Sequence, residues 1–144
     1  CYGAATLCDQ ESSVCQGMHS FGLNLGIAFQ MIDAILDYEG DPAAMGKNVG
    51  DDLTEGKPTL PLIYTLEHGT KEEQALVHRA ITEKTAEDIE QVLAAVQRCG
   101  ALNYTKQQAR NYHNLALAEL AALTDSPARV SLQAVTALSI NRDH

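Results

Sequence analysis

The sequence is poor in basic residues, in proline and in paired metal-binding side chains. Ten Lys and Arg against nineteen Asp and Glu give a formal charge of −9, which disfavours sequence-independent binding to nucleic acid. Four prolines and the lack of low-complexity runs argue against collagen-like, mucin-like and linker-dominated chains. The four cysteines form no CxxC pair and the five histidines no HxxxH pair, so reduced thiols are expected rather than a zinc site.

Long apolar runs are also lacking. The longest stretch without a charged residue, Ser12 to Ile32, is interrupted by Ser, Gln, His and Asn side chains that would need partners in a bilayer. We therefore expect a buried helix here, no transmembrane segment and a cytoplasmic protein. The chain opens on Cys1-Tyr2-Gly3 without a Met or a basic signal-peptide region, which suggests a cut end.

The patterns that are present predict helices throughout. Apolar or small residues recur at a 3-4-3 spacing between Ser13 and Tyr38, as on one face of a long helix. Capping and breaking residues predict further helices at about 60–68, 71–81, 86–99, 102–123 and 127–140. The stretch from Glu39 to Pro58 is predicted to be a polar loop. No period-two alternation predicts a strand, so the fold class is all-α, a helical bundle.

Acidic side chains line one face of the first long helix. Gln30, Asp33 and Asp37 are three and four residues apart, so they lie about one turn from each other. No Lys or Arg occurs between Asp9 and Lys47 to offset the two carboxylates. This pattern favours an external cation, although a solvated helix end would show the same residues.

The following glycine-rich loop adds positive charge. Lys47 and Lys57 are ten residues apart, with three further carboxylates between them. Carboxylates that hold Mg²⁺ and lysines that act as point charges would together suit a ligand that bears phosphates. The spacing matches neither a Walker A loop nor GxGxxG, so nucleotide hydrolysis by a P-loop is not supported.

Three sequence blocks carry a family resemblance: residues 26–38, Gly46-Lys47-Asn48, and residues 55–62. Together they resemble the second aspartate-rich region of trans-isoprenyl diphosphate synthases, and most closely that of the long-chain bacterial members. The resemblance implies a Mg²⁺-dependent prenyltransferase with the isoprenoid-synthase fold, usually a homodimer. It further implies condensation of an allylic diphosphate, such as farnesyl diphosphate, with isopentenyl diphosphate. The implied product is a long-chain diphosphate, such as octaprenyl diphosphate, for quinone side chains.

The resemblance also implies roles for individual residues. Asp33 and Asp37 would hold Mg²⁺ directly or through water. Lys47 and Lys57 would contact the allylic diphosphate, and these four residues would form the catalytic set. Phe29 and Gln30 would face the reacting prenyl unit.

The sequence departs from the family pattern in two ways. The motif Asp-Asp-x-x-Asp has Ala34 at its second position, so weakened metal binding is expected. The family's first aspartate-rich motif is absent, so residues 1–144 are interpreted as the C-terminal half of one polyprenyl synthase domain, inactive in isolation. A non-catalytic helical subunit or interaction domain of the same lineage remains an alternative. A terpene cyclase fits less well, because the block from Lys47 to Pro61 resembles chain-elongating enzymes.

Overall fold

The all-α prediction is confirmed. The computed structural model describes residues 1–39, 50–85 and 87–140, and these ranges are 81% helical without a strand. Their eight helices are α1 (Tyr2–Leu7), α2 (Ser12–Glu39), α3 (Asp51–Thr54), α4 (Leu60–His68), α5 (Lys71–Glu83), α6 (Ile89–Arg98), α7 (Ala101–Ala121) and α8 (Pro127–Ile140). Among the described residues, no helix is long and apolar enough to cross a membrane.

The chain divides into two compact units, each with its own core. The first unit contains Cys1–Gln30 and the described residues from Gln108 onward, and the second contains the described residues between Met31 and Gln107. The hydrophobic core cluster of the first unit consists of Phe21, Ala116 and Leu120. The core of the second unit is larger and consists of Tyr38, Leu53, Leu62, Val77, Ala80, Val92, Val96, Ala101 and Leu102. The candidate acidic residues of α2 lie in the second unit.

The predicted polar loop contains a helical turn. Within the described part of that segment, residues 50–58, Asp51–Thr54 form α3, and the Leu53 side chain is fully buried in the core of the second unit. The expectation that this stretch is too polar to contribute to the core is therefore wrong for Leu53. A four-residue helix is too short to show a helical period, so the sequence pattern did not reveal it.

A buried tyrosine joins the end of α2 to the start of α4. Thr59 is the N-cap residue of α4, but its side chain makes no capping hydrogen bond. Its hydroxyl lies 3.4 Å from the hydroxyl of Tyr38, which is only 4% exposed. Burial raises the pKa of Tyr38. This contact links the two ends of residues 39–58, the segment that carries the candidate lysines.

Helix α5 begins with a capping box. The Thr70 side chain accepts a hydrogen bond from the backbone N–H of Glu73, and the Glu73 carboxylate accepts one from the Thr70 backbone N–H. The preceding residue, Gly69, is the C-cap residue of α4 and has an extended conformation (φ −70°, ψ 169°). Glycine is needed there for space, since a Cβ atom would lie 2.6 Å from the carbonyl oxygen of Thr65.

The burial of Leu53 yields a prediction about stability. Leu53→Ala should lower the free energy of unfolding by about 3 kcal/mol, because it removes a fully buried side chain and leaves a cavity. Ile63→Ala is the matched control, since Ile63 lies in the same unit but is 39% exposed. Urea unfolding followed by circular dichroism measures both changes. An equal loss in the two variants would contradict the buried position of Leu53.

Candidate functional site

The structure describes five of the six predicted site residues. Asp33 and Asp37 lie on α2 four residues apart, so their side chains share one face of that helix. Asp33 is half-buried, whereas Asp37 is buried at 8% exposure. Lys57 follows α3 and is exposed. Lys47 lies outside the described residues.

Phe29 and Gln30 also lie on α2, but they belong to the first unit. Phe29 is half-buried and Gln30 is exposed. Their predicted role toward a prenyl unit therefore stays a prediction.

The turn α3 is attached directly to Asp37. The backbone N–H of Gly50 donates to the Asp37 carbonyl oxygen at 3.2 Å. The backbone N–H of Asp52 donates to Asp37 Oδ2 at 3.3 Å. Gly50 has φ +86°, a left-handed conformation that glycine adopts without strain, and Leu53 anchors the other side of the turn in the core. The fold thus brings α3 to the acidic end of α2.

This attachment crowds negative charge around a buried carboxyl group. The pKa of Asp37 is raised from 3.8 to about 6. Burial is the largest cause, followed by the negative charge of Asp52 and, more weakly, that of Asp51. Hydrogen bonds from the backbone N–H groups of these two residues oppose the shift only in part. A cation placed here would favour the ionised form of Asp37.

Lys57 approaches the same carboxylates through Asp52. Its ammonium nitrogen lies 3.2 Å from Asp52 Oδ1 and also forms an ion pair with Glu55. Both partners raise the pKa of Lys57, Glu55 more strongly than Asp52. The structure therefore connects Asp37 to Lys57, two of the residues predicted from sequence, by way of a residue that was not among them.

The described residues supply only some of the ligands that a bound metal ion would need. In residues 1–39, 50–85 and 87–140, no group of three or more His, Cys, Asp or Glu side chains is arranged to hold a metal ion. Mg²⁺ often takes only one or two protein carboxylates and completes its shell with water and phosphate oxygens. The oxygen donors of Asp33 and Asp37, and the crowded charge around Asp37, fit such a partial site.

Sequence analysis missed Asp52 as a member of the site and did not relate its neighbour Asp51 to Asp37. They were visible as carboxylates between the two lysines, but no spacing rule related them to Asp37. Two adjacent aspartates directly after Gly50 could have signalled a helical turn, because acidic residues favour the first turn of a helix. Their proximity to Asp37 depends on tertiary structure.

Comparison with known proteins identifies relatives that match nearly the full length of this chain. The chain is 41% identical to octaprenyl diphosphate synthase of Escherichia coli strain K12 over 144 residues, which is 99% of this chain and 44% of that relative. Among solved structures, a decaprenyl diphosphate synthase from Rhodobacter capsulatus superposes with a TM-score of 0.87 at 31% identity. That match covers 99% of this chain and 45% of the Rhodobacter chain.

A second similar structure was solved with ligands bound. A polyprenyl synthase from Caulobacter crescentus CB15, complexed with calcium and isoprenyl diphosphate, superposes with a TM-score of 0.84 at 32% identity. The match covers 99% of this chain and 44% of the Caulobacter chain. The chain thus spans less than half the length of the relatives it matches. The family model for polyprenyl synthetase matches residues 1–98. The chain therefore belongs to the polyprenyl synthetase family.

Proposed function

We propose that residues 1–144 form the C-terminal half of a single polyprenyl synthase domain. The complete enzyme condenses an allylic diphosphate with isopentenyl diphosphate and releases a long-chain polyprenyl diphosphate. This proposal is supported by relatives that are named as prenyl diphosphate synthases and by the 44% of the Escherichia coli relative that this chain covers. The observation that carries it is the convergence of Asp37, Asp52 and Lys57 at the junction of α2 and α3.

In this proposal each candidate residue binds one part of the ligand. Asp33 and Asp37 hold Mg²⁺, and Lys47 and Lys57 contact the diphosphate of the allylic substrate. Phe29 and Gln30 face the prenyl unit next to that diphosphate. The proposed donors are hard oxygen atoms for the metal and ammonium groups for phosphate, which are the pairings that these ligands prefer.

The chemistry required of these residues is electrostatic. Bound Mg²⁺ would neutralise the charge that develops on the pyrophosphate leaving group. Lys57 adds a positive charge that Asp52 already orients, so less reorganisation is needed when the diphosphate departs. Fixed charges of this kind contribute several kcal/mol to barrier lowering, on the order of 3 kcal/mol for one well-placed donor.

Further features of the complete protein are carried over from the family resemblance. We propose a cytoplasmic homodimer whose product, octaprenyl diphosphate or one of similar length, supplies quinone side chains. The relatives of similar identity include octaprenyl and nonaprenyl diphosphate synthases, so this set favours a long product without fixing its length.

Two observations favour a second candidate function, a non-catalytic helical subunit of the same lineage. Ala34 removes a carboxylate of the family motif, and no three-carboxylate metal group occurs among the residues described. Such a subunit would keep the fold but would not bind a metal-bridged diphosphate. Ligand binding therefore separates the two candidates.

Binding of Mg²⁺ and pyrophosphate to this chain is the first test. Titration calorimetry should detect pyrophosphate binding that requires Mg²⁺. Asp37→Asn should weaken it at least about tenfold, because a neutral amide is a poorer Mg²⁺ ligand than a carboxylate. Glu67→Gln is the control, since it removes an equal charge from the exposed face of α4, about 12 Å along that helix from Thr59. Mg²⁺-independent binding, or none, would favour the non-catalytic subunit.

Catalysis by the isolated chain is the second test. The 144-residue chain should show no condensation of farnesyl and isopentenyl diphosphates in the presence of Mg²⁺, because it lacks the family's first aspartate-rich motif. The Escherichia coli octaprenyl diphosphate synthase serves as the positive control in the same radiolabelled assay. Turnover by the isolated chain would contradict the half-domain proposal.

The raised pKa of Asp37 predicts how stability changes with pH. Because its folded-state pKa is about 6 against an ordinary value of 3.8, the folded chain holds more protons than the unfolded chain between these values. Asp37 should therefore make the free energy of unfolding fall as pH rises through that window, by up to about 3 kcal/mol.

Urea unfolding of the wild type and of Asp37→Asn at several pH values isolates this contribution as the difference between the two proteins. Carboxyl NMR should show the Asp37 titration move to lower pH when Mg²⁺ and pyrophosphate are added, since a bound cation favours the ionised form. An unchanged titration would contradict a role for Asp37 in holding the metal.

A further inference from the structure

We propose that Asp52 is the residue that positions Lys57 for the diphosphate. This inference rests on the proposed function, and it adds a residue that the family motif of α2 and the two lysines do not include. Asp52 does not touch the ligand in this proposal. It acts by fixing the direction of the Lys57 ammonium group relative to Asp37.

Three separate groups of Asp52 make the relevant contacts. Its backbone N–H donates to Asp37 Oδ2 at 3.3 Å. Its backbone carbonyl accepts from the backbone N–H of Lys57 at 2.9 Å. Its side-chain Oδ1 accepts from the Lys57 ammonium at 3.2 Å. One residue therefore sets the backbone position of Lys57, the direction of its side chain and its relation to Asp37.

The two carboxylate partners of Lys57 differ in burial. The side chain of Asp52 is 19% exposed, whereas that of Glu55 is 59% exposed. An ion pair with an exposed partner is weakened by water and salt, so the Glu55 pair contributes little to holding Lys57 in one place. The less exposed Asp52, fixed by its own backbone hydrogen bonds, supplies the more rigid contact.

The chemistry of the lysine allows it to keep Asp52 while binding a ligand. An ammonium group has three N–H donors. One donor remains on Asp52 Oδ1, and a donor that faces Glu55 transfers to a phosphate oxygen. Lys57 then binds the diphosphate without losing the contact that orients it.

If Asp52 positions Lys57, removal of its charge should weaken pyrophosphate binding. If Asp52 acts only through its negative charge, the same change should strengthen that binding. Pyrophosphate is a polyanion, so loss of a nearby negative charge by itself should tighten its binding. Asp52→Asn, in contrast, should weaken Mg²⁺-dependent pyrophosphate binding about tenfold if Asp52 orients the lysine. The substitution keeps both backbone contacts and the side-chain shape, and it relieves repulsion at Asp37, so the variant should fold.

Two control variants match this change in charge. Asp51→Asn removes the same charge from the adjacent residue, whose side chain makes no hydrogen bond to Lys57 in the described structure. Glu55→Gln removes the exposed partner of Lys57. Both controls should bind pyrophosphate as tightly as the wild type or more tightly.

A double variant tests whether Asp52 affects pyrophosphate binding through Lys57. Lys57→Met alone should weaken pyrophosphate binding. In that background, Asp52→Asn should cause no further loss, because there is no ammonium group left to position. Weakening of equal size in the presence and absence of Lys57 would overturn the inference.

NMR of the Lys57 ammonium provides a readout that does not depend on ligand. Asp52→Asn should broaden or shift the Lys57 Nζ signal more than Glu55→Gln does. If the wild type binds Mg²⁺ and pyrophosphate but Asp52→Asn binds as well or better, the positioning role is overturned while the proposed function stands. If the wild type does not bind, the proposed function fails and the inference fails with it.

Discussion

Asp37 determines where the helical turn α3 lies relative to the acidic end of α2. Its backbone and side-chain oxygens accept hydrogen bonds from Gly50 and Asp52, so the helical turn α3 is fixed against it. Leu53 secures the same turn from the core side. Because α3 leads directly to Lys57, the position of that lysine follows from the attachment at Asp37.

This attachment concentrates negative charge in a place that water reaches poorly. Asp37 is buried beside the charges of Asp51 and Asp52, and its pKa is raised to about 6 as a result. A fold maintained only for stability would gain from a neutral residue at this position. The arrangement is better suited to a site in which a bound cation offsets this negative charge, as Lys57 does in part.

Sequence patterns predicted the features that depend on a sustained apolar periodicity or on local helix-capping residues. Helix α2 has a sustained apolar period over seven turns, and α5 begins with a capping box, so both were predicted close to their observed bounds. The turn α3 was missed because four residues carry no period. The role of Asp52 could not be predicted from sequence patterns. Asp52 lies fifteen residues after Asp37 and five before Lys57, and only the folded structure brings the three residues into contact.

The alanine at position 34 can be understood from the same charge balance. Ala34 is only 5% exposed, so an ionised carboxylate at that position would lose most of its hydration and would need a partner. Asp51 and Asp52 already place two carboxylates near Asp37, and a further one would raise the repulsion among them. Alanine instead adds apolar packing to the helix that bears Asp33 and Asp37. Under the proposed function, metal binding by this segment then depends on those two aspartates and on the phosphate oxygens of the ligand.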